Sequence, residues 1–152
     1  MQKIVPNLWF TGNAGEAVEF YTSVFQESKI INTAYYPEEG TADFQKPLVG
    51  KILTVEFELQ GQRFMAINAG DEFHFTEAIS FAISCKDQAE IDYFWSKLSA
   101  VPSSEQCGWC KDKYGLSWQV VPENMDELMN TPGAFGVLMN QKKIIVSEYQ
   151  KG

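Results

Sequence analysis

Between Ile52 and Leu59 apolar Val55, Phe57 and Leu59 alternate with Thr54, Glu56 and Glu58, the two-residue period of a strand with one wet face. Gln60-Gly61 interrupts the alternation and Gln62 to Asn68 resumes it, so the stretch predicts a hairpin turning at the glycine. Upstream, Lys3 to Phe10 reads as a strand ending in bulky Trp9 and Phe10, and Lys29 to Tyr36 as another. Between them the period changes: Ala17, Phe20, Tyr21, Val24 and Phe25 follow helical spacing and give one broad apolar face. Asn13 and Glu16 form a capping-box-like pair that opens this helix, which runs to about Gln26. Pro37 to Pro47 reads as a mobile polar loop, and Asn68 to Phe75 as a loop carrying His74, the only histidine.

The pattern then restarts. Ala78 to Cys85 reads as a strand, and Asp87 with Glu90 opens a helix whose apolar positions are Ile91, Phe94, Trp95 and Leu98. Cap, glutamate and aromatic pair recur at a constant offset of 74 residues (87 − 13 and 94 − 20), which predicts a duplicated module of strand, helix and three strands. Cys107 to Pro122 supplies the end of the second copy: a strand reaching Cys110, a turn over Lys111 to Gly115, and a strand from Leu116 to Val121 that Pro122 ends. Leu116, Trp118 and Val120 share its packing side, while Ser117, Gln119 and Val121 share the other, and Gln119 is expected to look into a ligand cavity. The expected fold class is α+β, a single domain over 1–152 built of tandem βαβββ modules at 1–70 and 76–122, with a C-terminal extension at 123–152. Glu123 to Asn130 begins that extension as a polar helix, and the patchy apolar tail after it is expected to dock on the back of the sheet or on another subunit.

With 45% hydrophobic and 21% charged residues the composition is that of a soluble globule. A formal net charge of −8 argues against partners recognised through phosphates, so nucleic acid is not expected. No apolar run reaches membrane-spanning length and no signal-peptide core follows Met1, so the expected location is cytoplasmic, with no membrane partner. Cys85, Cys107 and Cys110 are an odd set in a domain that needs no disulfide, and free thiols are expected.

The run Pro6-Asn7-Leu8-Trp9-Phe10 with Asn13-Ala14, Glu16-Ala17 and Phe20-Tyr21, followed by Cys107-Gly108-Trp109, Asp112 to Gln119 and Pro122, resembles the PhnB-like family. That family, also labelled demethylubiquinone methyltransferase-like, belongs to the vicinal oxygen chelate superfamily with glyoxalase and the bleomycin-resistance proteins. The resemblance implies paired βαβββ modules of the glyoxalase/bleomycin resistance/dioxygenase fold, each curled around a cavity, and a homodimer. In metal-dependent members four strands each give one ligand, and the matching positions here are about Pro6, Asn68, Ser80 and Gln119. Proline has no donor, Asn68 and Ser80 are poor ones and Gln119 alone is a plausible ligand, so no metal and no cofactor are expected.

Cys107-Gly-Trp-Cys110 has redox or zinc spacing, but a strand turn follows it and no second pair completes a zinc site. His74 among Asp71, Glu72, Phe73 and Phe75 reads as a solvated loop, with the two phenylalanines suited to lid a cavity or anchor a dimer contact. No glycine-rich turn for S-adenosylmethionine, nucleophile elbow or phosphate loop is present. The expected function is metal-free binding of a small organic ligand, with Trp9, Asn68, Ser80, Cys107, Trp109 and Gln119 as the binding residues. The alternative is a glyoxalase-like metal-dependent lyase, isomerase or dioxygenase, or a methyltransferase as the family label suggests.

Overall fold

The alternation around Phe57 becomes the central hairpin of a four-stranded sheet. In the computed structural model, which describes residues 2–150, the chain divides after His74 into two compact units. The first contains β1 (Asn7–Thr11), α1 (Ala14–Val24), β2 (Ser28–Tyr35), β3 (Ile52–Leu59) and β4 (Gln62–Ala69). Its sheet A has the order β1-β4-β3-β2, with β1 parallel to β4 and the other pairs antiparallel. Gln60 and Gly61 both have positive φ, 52° and 80°, the two-residue turn whose twist suits a hairpin. Leu8, Phe10, Val55, Phe57, Phe64 and Ala66 are buried on one side of the sheet, where α1 brings Ala17, Val18, Tyr21 and Val24. Tyr21 stacks on Phe57 with centroids 6.4 Å apart, and Phe57 on Phe64 at 5.4 Å. Gly15 permits this approach, because a Cβ there would stand 2.9 Å from Ile52 Cδ1.

Two local expectations change. Asn13 occupies the N-cap without a side-chain bond; Asn68 Oδ1 instead accepts from Ala14 N at 3.0 Å. The segment read as a mobile loop from Pro37 contains a 3-10 turn over Asp43–Leu48.

The second unit contains β5 (Ser80–Cys85), α2 (Gln88–Leu98), β6 (Trp109–Lys111) and β7 (Ser117–Pro122), with sheet order β5-β7-β6 in sheet B. The offset of 74 superposes both ends of the helices (88 − 14 and 98 − 24), and β5 is parallel to β7 as β1 is to β4. Asp87 caps α2 by accepting from Glu90 N at 2.9 Å. The second repeat nevertheless has two strands after its helix, not three. Pro102–Ser104 forms a 3-10 turn, and Gln106 pairs only with Trp109 across a tight turn in which Cys107 and Gly108 have φ of 54° and 86°. Proline lacks the N–H that a ladder needs, and the chain reverses before a strand has length to form.

Asp112 closes the β6–β7 hairpin. It is 1% exposed; its Oδ1 accepts from Tyr114 N at 2.8 Å and Leu116 N at 3.1 Å, and its Oδ2 from Trp118 Nε1 at 2.9 Å. The C-terminal segment adds α3 (Met125–Met129), shorter than the 123–130 expectation, and α4 (Ala134–Asn140). Leu128, Ala134, Ile144 and Tyr149 form its buried cluster. The tail returns to its own unit: Gln141 O and Lys142 O accept from Cys107 N and Gly108 N, both at 2.8 Å, and Ile144 fills the space a Cβ at Gly108 would need.

Replacing Asp112 by Ala removes the acceptor of three donors and is expected to cost about 3 kcal/mol, with Asp112→Asn milder, as read by urea unfolding monitored through tryptophan fluorescence. Ile144→Ala is expected to cost about 2–4 kcal/mol in the same assay. Removing 131–152 should unfold the second unit; a native-like melt of the shortened chain would contradict this packing.

Candidate functional site

Strand alternation separates the face of each sheet covered by α1 or α2 from the opposite face, and the candidate residues divide by that criterion; at the end of the opposite face of sheet B, Val121 packs against the C-terminal cluster. In sheet B, Cys85, Cys110, Trp118, Val120 and Pro122 are buried on the α2 side. Ser80, Ala82, Ser117, Gln119, Trp109 and Lys111 take the opposite parity. There Gln119 Nε2 donates to Ser80 Oγ at 2.9 Å, and half-buried Trp109 lies in register with Gln119 on the neighbouring strand. Ser117, 1% exposed, carries a hydroxyl with no hydrogen-bond partner. At the edge Lys111 Nζ pairs with the exposed carboxylate of Glu77, and its hydrogen bond holds that carboxyl below the usual range. The face thus offers an aromatic wall, a closed Gln-Ser pair and a mostly tethered cation.

Trp9 occupies the corresponding face of sheet A, in register with Ile67 and away from α1. Its Nε1 donates to Gly70 O at 2.8 Å, and Phe73 meets it edge-on, with centroids 4.8 Å apart and planes at 79°. The Glu56–Arg63 ion pair belongs to the same face by strand parity.

Asn68 and Cys107 fall outside the faces expected for them. Asn68 shares the parity of buried Phe64 and Ala66, so its side chain meets α1 rather than the opposite face; besides accepting from Ala14 N it donates to Ile52 O at 2.9 Å. Cys107 sits at the tip of a tight turn, its Sγ 3.3 Å from Gln106 Nε2 and 3.9 Å from Met139 Sδ, facing the C-terminal segment rather than Gln119. The turn ends strand alternation, so counting from Gln119 places this side chain wrongly. Cys110 is buried, and all three cysteines are free thiols. His74 is exposed in its loop.

Sequence reasoning missed Asp112 as a buried carboxylate and both ion pairs, since partners separated by Gly-containing turns and other strands have no periodic signature. The Asp-Lys-Tyr-Gly sequence is the one available signal, because aspartate readily accepts from the N–H groups of a turn that follows it.

The metal ligands of the wider superfamily have no equivalent donor set here. Pro6 has none, Asn68 is committed to α1 and β3, and Ser80 and Gln119 are bonded to one another. Among the described residues no group of three His, Cys, Asp or Glu side chains is placed to hold an ion. These residues do not fit a divalent metal.

The family model described as 3-demethylubiquinone-9 3-methyltransferase matches residues 2–121. The chain belongs to this family. Among solved structures it is similar to a PhnB protein from Bacillus cereus, 37% identical, covering 80% of this chain and 99% of that one with a TM-score of 0.64. A protein from Pseudomonas aeruginosa is 19% identical over 81% of this chain and 98% of its own, TM-score 0.55. A gene product from Arabidopsis thaliana is 18% identical over 80% and 98%, TM-score 0.51. The latter two show the fold alone. No curated protein sequence matches. The fold class is α+β, shared with the PhnB protein, and in each unit the first strand lies parallel to the last. The family match stops before α3, so the C-terminal segment lies outside it. No helix among the described residues is long and apolar enough to cross a membrane.

Burial pushes the Cys85 and Cys110 thiols up to about 12 from 9.0. Because the folded values lie above the unfolded ones, the stability they contribute is complete below about pH 9 and is lost as pH rises towards about 12. A thiol reagent should therefore modify Cys107 alone in native protein and all three thiols after denaturation. Rapid native labelling of Cys85 or Cys110 would contradict their burial.

Proposed function

We propose that this protein binds a small organic ligand without a metal, using the faces of its sheets opposite α1 and α2. The observation that carries this reading is the Ser80–Gln119 hydrogen bond beside Trp109: the strongest candidate ligands are satisfied by each other, next to an aromatic surface. A carboxamide closed on a hydroxyl reopens at modest cost for a ligand carbonyl or hydroxyl, while Trp109 supplies apolar area. Trp9 offers a second aromatic surface on sheet A. Asn68, committed to the scaffold, is a positioning residue in this reading.

The reading includes a homodimer in the cytoplasm. Ile30, Ile31 and Tyr35, 41–57% exposed on edge strand β2, are apolar surface of the kind a second subunit covers. Three free thiols suit a reducing compartment. The methyltransferase activity in the family's description finds no counterpart in these residues: Gly15 serves helix-sheet packing, and the first N–H of α1 is taken by Asn68.

Elemental analysis of untagged protein and thermal melts with Zn, Ni, Mn and Fe(II) are expected to show no stoichiometric metal and no metal-dependent stabilisation. Melts against small aromatic amides, phenols and ketones are expected to give at least one saturable stabilisation that Gln119→Ala and Trp109→Ala abolish. Stoichiometric metal, or a complete absence of organic hits, would overturn the proposal.

A further inference from the structure

Trp9 and Phe73 form a corner of two nearly perpendicular rings, 4.8 Å between centroids and 79° between planes, with Phe73 62% exposed. The indole N–H is held by Gly70 O, so what the indole has left to offer is its π surface. Two carboxylates immediately precede Phe73 in the same loop. Asp71 and Glu72 are exposed, and neither has an ion-pair partner among the described residues. The Glu72 carboxylate lies against Gly70, with both oxygens 2.8 Å from the position a Cβ would take there. A negative charge therefore stands beside the carbonyl that fixes the indole.

Two ring faces at a right angle with an uncompensated carboxylate favour positive charge: the ring quadrupoles attract it and the carboxylate adds a charge-charge interaction. An anion would be repelled, and a neutral group would gain only apolar contact. A primary ammonium is strongly hydrated, whereas an alkylated ammonium sheds water at lower cost and presents methyl groups to the rings. The net charge of −8 steers cations toward the surface as a whole.

We infer that the Trp9–Phe73 corner on sheet A, with Glu72 and Asp71, is a binding site for an organic cation of the alkylated ammonium class. This rests on the reading that the sheet faces opposite α1 and α2 hold small organic ligands, and it assigns a ligand class to the first of them.

The probe pair is choline and its neutral isostere 3,3-dimethylbutan-1-ol, titrated into 15N-labelled protein while the four indole N–H signals are followed, that of Trp9 assigned with Trp9→Phe. Choline is expected to shift the Trp9 signal saturably and leave Trp95, Trp109 and Trp118 in place, with the isostere much weaker. Phe73→Ala, which removes a largely exposed ring and leaves the core intact, is expected to weaken choline about tenfold, and Glu72→Gln several-fold. Equal titration by both probes would overturn cation recognition while leaving the broader small-ligand reading in place. No shift of the Trp9 signal with either probe would overturn this site, and the aromatic screen on Gln119 and Trp109 would still judge the broader reading separately.

Discussion

The parallel pairing of the first and last strands in each unit is the constraint on which the rest depends. A parallel pair cannot be closed by a tight turn, so the chain must leave the sheet and return, and the helix in that crossover covers one face. With α1 over Phe57 and α2 over Val120, each sheet has a dry side and a side the helix does not reach. Ser80 and Gln119, 39 residues apart, meet because β5 and β7 run parallel in register. Trp9 faces away from α1 for the same reason.

Several polar residues are committed to the scaffold, and this restricts what chemistry they can do. Asp112 gathers three donors inside the β6–β7 hairpin, while Asn68 ties β4 to the start of α1 and to β3. Gln141 joins Tyr149, Glu148 and Ile145 inside the C-terminal segment. Buried groups of this kind are costly to leave unpaired, so they fix the backbone and are withdrawn from catalysis. The faces opposite the two helices carry aromatic surface, the Gln119–Ser80 pair and the unpartnered hydroxyl of Ser117.

Much of the architecture was legible because it depends on local periodicity. The hairpin at Gln60-Gly61, both helices and their 74-residue offset follow from period and capping chemistry that neighbours in sequence enforce. The missing strand of the second repeat was not, although Pro102 and the Cys107-Gly108 reversal carry its cause. Of the candidate residues, Gln119, Ser80, Trp109 and Trp9 lie on the faces opposite α1 and α2 as strand parity implies, whereas Asn68 and Cys107 do not. Asn68 shares the parity of Phe64 and so meets α1, and the reversal at Cys107-Gly108 ends the alternation before Cys107.

By itself the sequence determined the fold class, the repeat and the poverty of metal donors, since each depends on residue type and spacing. Tertiary structure decided which polar groups remain available. That Asn68 caps a helix begun 54 residues earlier, that Ser80 closes on Gln119, and that Phe73 stands against Trp9 are contacts between distant segments. No local period encodes such contacts; they arise only when strand order and register bring the partners within hydrogen-bonding or ring-contact distance.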